Sequence, residues 1–154
     1  MTTPLQQRWF EDYRVGEAFE FGDYPITEQE IVEFARRYDP QPFHLDAAAA
    51  AQSHFGGLVA SGWMTGSVLM RMVCDHFISP QASMGSPGLE QLRWLKPVRP
   101  GDRLRARVTV LETRPSRSKP DRGSMLIRQE AINQNDEVAM SIEGWAMLRC
   151  RPVA

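Results

Sequence analysis

The sequence predicts an α+β fold, one long helix wrapped by a curved sheet of meandering antiparallel strands. Three observations carry this reading. Helical periods crowd the first half of the chain, two-residue alternation fills the second, and between them an apolar helical stretch runs from about Gly62 to Phe77. At 154 residues the chain is expected to form a single domain, 1–154, large enough to bury a core without disulfides or metal.

Residues 17–21 alternate as a short strand, and Gly22-Asp23 reads as the turn that ends it. A helix start follows. Thr27 stands at the cap position with Glu30 three residues on, a capping box, and Ile26 and Ile31 are spaced as a hydrophobic staple. The helix would present Ile31, Phe34, Ala35 and Tyr38 on one face and stop before Pro40, leaving Asp39 at its end. Asp46 then caps the run Ala47 to Ala51, whose small side chains permit close packing. His54-Phe55-Gly56-Gly57 breaks that run, and Leu58-Val59-Ala60 leads into the long helix. There Met64, Val68, Leu69, Met72, Val73 and Phe77 follow the helical period and predict a largely buried element; the Met-rich stripe could line a flexible acyl pocket, but core packing is the simpler account.

Leu89 to Leu95 reads as a strand closed by Lys96-Pro97-Val98-Arg99-Pro100-Gly101-Asp102. Leu104, Ala106, Val108 and Val110 alternate with Arg103, Arg105, Arg107 and Thr109, the pattern of a half-buried strand with a charged outer face. Strands near Ser124–Asn133 and Glu137–Arg149 flank the turn residues Asn133-Gln134-Asn135-Asp136, and Val138, Met140, Ile142 and Leu148 give the last strand its apolar face.

Composition narrows the function classes. A hydrophobic content of 42% with 24% charged residues suits a soluble globular protein, and a net charge of −1 gives no ground for nucleic acid or an anionic membrane as partner. Cys74 and Cys150 lie far apart outside any CxxC pattern and read as buried thiols of a reducing compartment. The N-terminus has no apolar targeting segment and no apolar run is long enough to span a bilayer, so a cytoplasmic location is expected. The one dense basic cluster, residues 114–123, reads as a solvated hairpin tip or as a phosphate contact made by Arg117, Lys119 or Arg122, in the second case on the same or a neighbouring subunit.

The chemistry concentrates in Tyr38-Asp39-Pro40-Gln41-Pro42-Phe43-His44-Leu45-Asp46. Two prolines fix φ and push Asp39 and Gln41 out of helical space, which predicts a stiff, extended backbone. Two readings fit. A carboxylate and an imidazole held on one water can exchange a proton near neutral pH. Alternatively Asp39 ends one helix, Asp46 caps the next and His44 is a satisfied core histidine. His44, Asp46 and His54 have metal-ligating side chains, but their spacing matches no known ligand motif. If Ser61 caps the long helix, the Gly62 N–H is a free donor at its positive end, with no Cβ to hinder a ligand oxygen.

Asp39-x-x-Pro42-Phe43-His44-x-Asp46 followed by Gly57-Leu58-Val59-Ala60-Ser61-Gly62-Trp63 resembles the MaoC-like acyl-CoA dehydratases, the (R)-specific enoyl-CoA hydratase group of the hotdog superfamily. The likeness runs from Phe10-Glu11-Asp12-Tyr13-x-Val15-Gly16-Glu17, through the Pro97-Val98-x-x-Gly101-Asp102 corner, to the last strand. It implies a hotdog fold, catalysis by Asp39 and His44 with the Gly62 amide as oxyanion contact, and reversible hydration of a trans-2-enoyl-CoA. It also implies no cofactor beyond the coenzyme A of the substrate, and a homodimer or larger homo-oligomer with the pocket between subunits. Phe43, Ser61, Trp63 and Met70 are the expected substrate-binding residues. This chain departs from the family pattern at Gln41, where most members have Asn, at Ser61, where they have His, and at Met70, where a pocket-lining Ser is expected. A hotdog thioesterase and a non-catalytic acyl-CoA-binding subunit are the alternatives.

Overall fold

In the computed structural model, which describes residues 3–153, two short 3-10 turns, Leu5–Gln7 and Phe10–Asp12, lead into β1 (Ala18–Pro25). The helices α1 (Glu28–Tyr38), α2 (Pro42–Leu45), α3 (Ala47–Ala51) and α4 (Gly62–His76) follow, and then β2 (Gly88–Trp94), β3 (Arg103–Pro115), β4 (Arg122–Ile132) and β5 (Val138–Arg149). The strands form one antiparallel sheet in the order β1-β3-β4-β5-β2. β1 and β2 are therefore its edges. The first two residues of the N-terminal reading lie outside the described part of the chain.

Alternation builds the core. Leu104, Ala106, Val108 and Val110 of β3 and Met125 and Ile127 of β4 turn inward onto Met64, Val68, Leu69, Met72 and Val73 of α4, all nearly inaccessible. Each of these side chains other than Ala106 contributes roughly 1.5–3 kcal/mol of burial. The outer face of β3 carries Arg105 and Arg107, paired with Glu20, Asp136 and Glu130. Solvent-accessible pairs of this kind contribute only about 0–1 kcal/mol each.

The helix start at Thr27 forms half of the expected box. The Thr27 hydroxyl accepts from the Glu30 N–H at 3.2 Å, and Ile26 and Ile31 are buried as a staple. The Glu30 carboxylate does not return to the cap, because it accepts the Tyr24 hydroxyl proton of β1. Tyr38, placed by periodicity on the inner face, is 64% exposed; it ends α1 where the helix leaves the core, and its ring meets that of Phe34 at a tilt instead. Of the alanine run only Ala50 is buried.

Two further expectations change. Gly22-Asp23 is a bulge within β1, not its end: the register shifts between Phe21 and Tyr24, and Gly22 takes φ +85° with Met72 packed where a Cβ would project. Neither cysteine is fully buried. Cys74 is exposed, because the period that buries Val73 turns its neighbour outward, where its thiol meets the Met70 sulfur at 3.7 Å, and Cys150 is half-buried after β5.

Candidate active site

Pro40 stops α1, so Asp39 closes it with φ −150° and ψ 67°. The next residues are not extended throughout. Gln41 is extended, but Pro42 takes the first position of a one-turn helix, α2, where its fixed φ is favourable and its missing N–H costs nothing. That turn swings His44 back toward Asp39. The imidazole Nε2 lies 3.3 Å from Asp39 Oδ2.

The carboxylate is well supplied with donors. Gln41 Nε2 donates to Oδ1 at 2.6 Å and Ser61 Oγ donates to Oδ2 at 2.7 Å. Burial raises the Asp39 pKa, but the hydrogen bonds from Ser61 and Gln41 together with the His44 charge outweigh it and hold it below the usual Asp value. Asp39 is therefore ionised at neutral pH.

His44 is 6% exposed, and its Nδ1 sits 2.7 Å from the Val59 carbonyl oxygen. A carbonyl can only accept, so Nδ1 carries a proton. In the neutral ring Nε2 is then a bare acceptor facing a carboxylate. Two acceptors at that distance call for a donor they can share, either a second ring proton or a water.

Ser61 is wholly buried and caps α4, accepting from the Trp63 N–H at 3.3 Å while it donates to Asp39. One hydroxyl thus ties the start of α4 to the end of α1. Gly62 opens the helix, and its N–H belongs to the set that has no intrahelical acceptor. The space that a Gly62 Cβ would need is filled by the Trp94 indole, whose Nε1–H donates to the Gly62 carbonyl at 2.9 Å. The glycine hence admits an aromatic ring of its own chain, which replaces the expected opening for a ligand at the Cα, although Gly62 itself still lines the cavity.

Asp39, His44 and Gly62 border one cavity of about 420 Å³, walled by Phe43, Trp63 and Trp94. Phe43 stands edge-on to His44 with centroids 4.5 Å apart, and Trp63 meets Trp94 edge-on at 5.1 Å. A mostly apolar hollow with a few convergent polar groups is the usual form of a small-molecule site. Of the expected wall residues, Phe43 and Trp63 are brought together here. Ser61 sits behind the wall and serves Asp39. Met70, over two turns along α4, lines two neighbouring hollows instead.

The basic cluster is the β3–β4 hairpin tip. Arg122 pairs with Arg149 at one end of β5, whereas Leu95, beside the cavity, bonds to Ala139 near the other, a separation of about 33 Å along a strand. Within one chain that loop does not reach the cavity; Arg122 pairs with Asp121, and Arg114 pairs with Glu112 and covers Trp145. Among the described residues no three His, Cys, Asp or Glu side chains gather to hold a metal ion, and the His54 ring packs on Phe55.

Two participants escaped the sequence reading. Val59 acts through its backbone carbonyl, which no side-chain pattern can signal. Trp94 ends a strand three residues before a proline, and nothing local indicates that it folds over a glycine 32 residues earlier.

Residues 11–134 match the family described as the MaoC-like domain. The chain is 38% identical to a MaoC-like dehydratase from Rhodospirillum rubrum of known crystal structure, with a TM-score of 0.89 over 95% of this chain and 99% of that one. It is 31% identical to 3-hydroxybutyryl-CoA dehydratase of Methylorubrum extorquens, over 77% of this chain and 74% of that protein. It is also 30% identical to mesaconyl-CoA hydratase of Cereibacter sphaeroides, over 96% of this chain but only 43% of that protein, so it spans less than half of that relative's length.

Proposed function

The chain belongs to the MaoC-like domain family and has the hotdog fold, and we propose that it catalyses reversible addition of water to a trans-2-enoyl-CoA, giving a 3-hydroxyacyl-CoA. The observation that carries this reading is the Asp39–His44 pair, with the imidazole held by Val59 so that Nε2 is free and faces an ionised carboxylate. A water held between these two groups would lie at the polar end of a mostly apolar cavity.

In hydration that water's oxygen bonds to C3 of the enoyl group while its proton passes to His44 Nε2. The π electrons of the C2–C3 bond move toward the thioester, and the Gly62 N–H, at the positive end of α4, receives the developing oxyanion. Asp39 stabilises the imidazolium. His44 then returns the proton to C2. Water is added, the thioester is kept, and dehydration is the same path reversed. The chain's own residues supply every step, with coenzyme A entering only as part of the substrate.

The same surface supports assembly as a homodimer. β2 is an edge strand bearing exposed Leu89 and Trp94, with Leu95 just beyond it and exposed Trp63 and Met70 on α4 beside it. A strand edge next to an apolar patch is the kind of surface a second copy covers. Among the described residues no helix is long and apolar enough to cross a membrane.

The test is a panel of trans-2-enoyl-CoA esters followed by both enoyl absorbance and free thiol. Loss of absorbance without thiol release is the expected result. Thiol release would make the protein a thioesterase, and tight binding without either signal would make it a binding subunit.

A further inference from the structure

β4 turns Met125, Ile127, Gln129 and Ala131 inward in strict alternation. Three of these are apolar, as the space beneath α4 requires. Gln129 is the exception: it is 8% exposed, lies between Val108 and Ile142 of the adjoining strands, and its Oε1 has no hydrogen-bond partner. A buried polar atom left unpaired is unfavourable, and an apolar side chain of similar shape would fit this position at no loss. The core gives no reason for the amide.

The hollow that it borders gives one. A cavity of about 170 Å³ lies under the second half of α4, with Gln129 on one wall and Met70, Val73 and Leu89 among the others, and no charged side chain lines it. A groove lined by Trp63, Met70 and Leu89 adjoins it, and Trp63 also walls the cavity of Asp39 and His44. The three hollows thus adjoin along one side of α4. From Gly62 to Cys74 that side measures about 18 Å. A half-turn of the Gln129 amide exchanges its oxygen and nitrogen, so it can offer either an acceptor or a donor.

We propose that Gln129 determines specificity for the acyl tail: the hollow takes the far end of an acyl chain bearing a neutral hydrogen-bonding group, a hydroxyl or a carboxamide, and the Gln129 amide pairs with it. The inference rests on the hydratase reading above and narrows its substrate class. A carboxylate tail is disfavoured, because nothing in the hollow neutralises it. A plain alkyl tail fits the apolar walls but leaves Gln129 unpaired.

The experiment compares trans-2-enoyl-CoA esters of matched length that end in a methyl or in a hydroxyl, over a series of lengths, in the wild type and in Gln129→Leu and Gln129→Met. The wild type is expected to favour the hydroxyl-ended ester by about tenfold in kcat/KM once the tail reaches the hollow, the worth of one neutral hydrogen bond. Either variant should erase that ratio, with a Tm equal to or above that of the wild type. An absent preference at every length, a preference that survives in a folded variant, or a lowered Tm in both variants would overturn the proposal. If the wild type hydrates no ester at all, the hydratase reading has failed, and calorimetric binding of the matching saturated acyl-CoA pair decides tail recognition by the same ratio.

Discussion

The Ser61 hydroxyl donates to Asp39 Oδ2 at 2.7 Å while it accepts the Trp63 N–H, so one buried atom caps the longest helix and holds the carboxylate. Ser61→Ala removes both contacts. Loss of the cap should lower stability by about 1 kcal/mol in a denaturation experiment.

The same contact sets a pH dependence. Asp39 has its pKa depressed in the folded protein, so its stabilising contribution is full above the unfolded value near 3.9 and is lost as pH falls through the lower folded value. For activity, the Asp39 contribution to kcat/KM should persist through the ordinary carboxylate range and fall only below it. In Ser61→Ala that acid limb should move to higher pH, and an unmoved limb would separate Ser61 from the carboxylate's titration.

Asp39→Asn and His44→Ala should each lower kcat by roughly two to four orders of magnitude, because each removes a partner in proton transfer. The double variant should be scarcely slower than the slower single one, as for groups that act as a unit. Circular dichroism and acyl-CoA binding check that the fold survives. Multiplicative losses would mean that the two residues work independently.

Gly62→Ala drives a methyl into the Trp94 ring, which is half exposed and can swing outward only by giving up its bond to the Gly62 carbonyl. A loss of about 1–3 kcal/mol is expected, with a change in tryptophan fluorescence. Adding Trp94→Ala should recover much of that stability, the signature of two residues in direct contact. If the double variant is stable and still active, the methyl matters through packing and the Gly62 N–H keeps its oxyanion role.

Leu89→Lys places a charge on the exposed β2 edge, where it would be buried against a second copy. Sedimentation should show the wild type as a dimer and the variant shifted toward monomer.

What could be read from the sequence follows the range of the interactions. Thr27 and Ile26 with Ile31, the cap at Ser61, and the alternation of Leu104 to Val110 all act over a few residues, and each stands where local chemistry places it. The proline-bracketed stretch was legible as stiff, yet its one-turn helix from Pro42 to Leu45 was not, because two prolines alone read as extended. Ser61 was expected on a substrate wall, and its service to Asp39 spans 22 residues. Met70 was placed beside the site by likeness alone, and the helical rise carries it to the adjoining hollows.

The strand order has a consequence for how the chain is made. β2 follows α4 directly in sequence, yet its neighbour in the sheet is β5, the final strand. On the ribosome β2 must wait for that partner, with the apolar flank of α4 beside it uncovered until β5 has emerged. A nascent chain halted in the β4–β5 turn would thus lack two paired strands rather than one, and the interval before β5 is made is when this sheet is most exposed to wrong pairing.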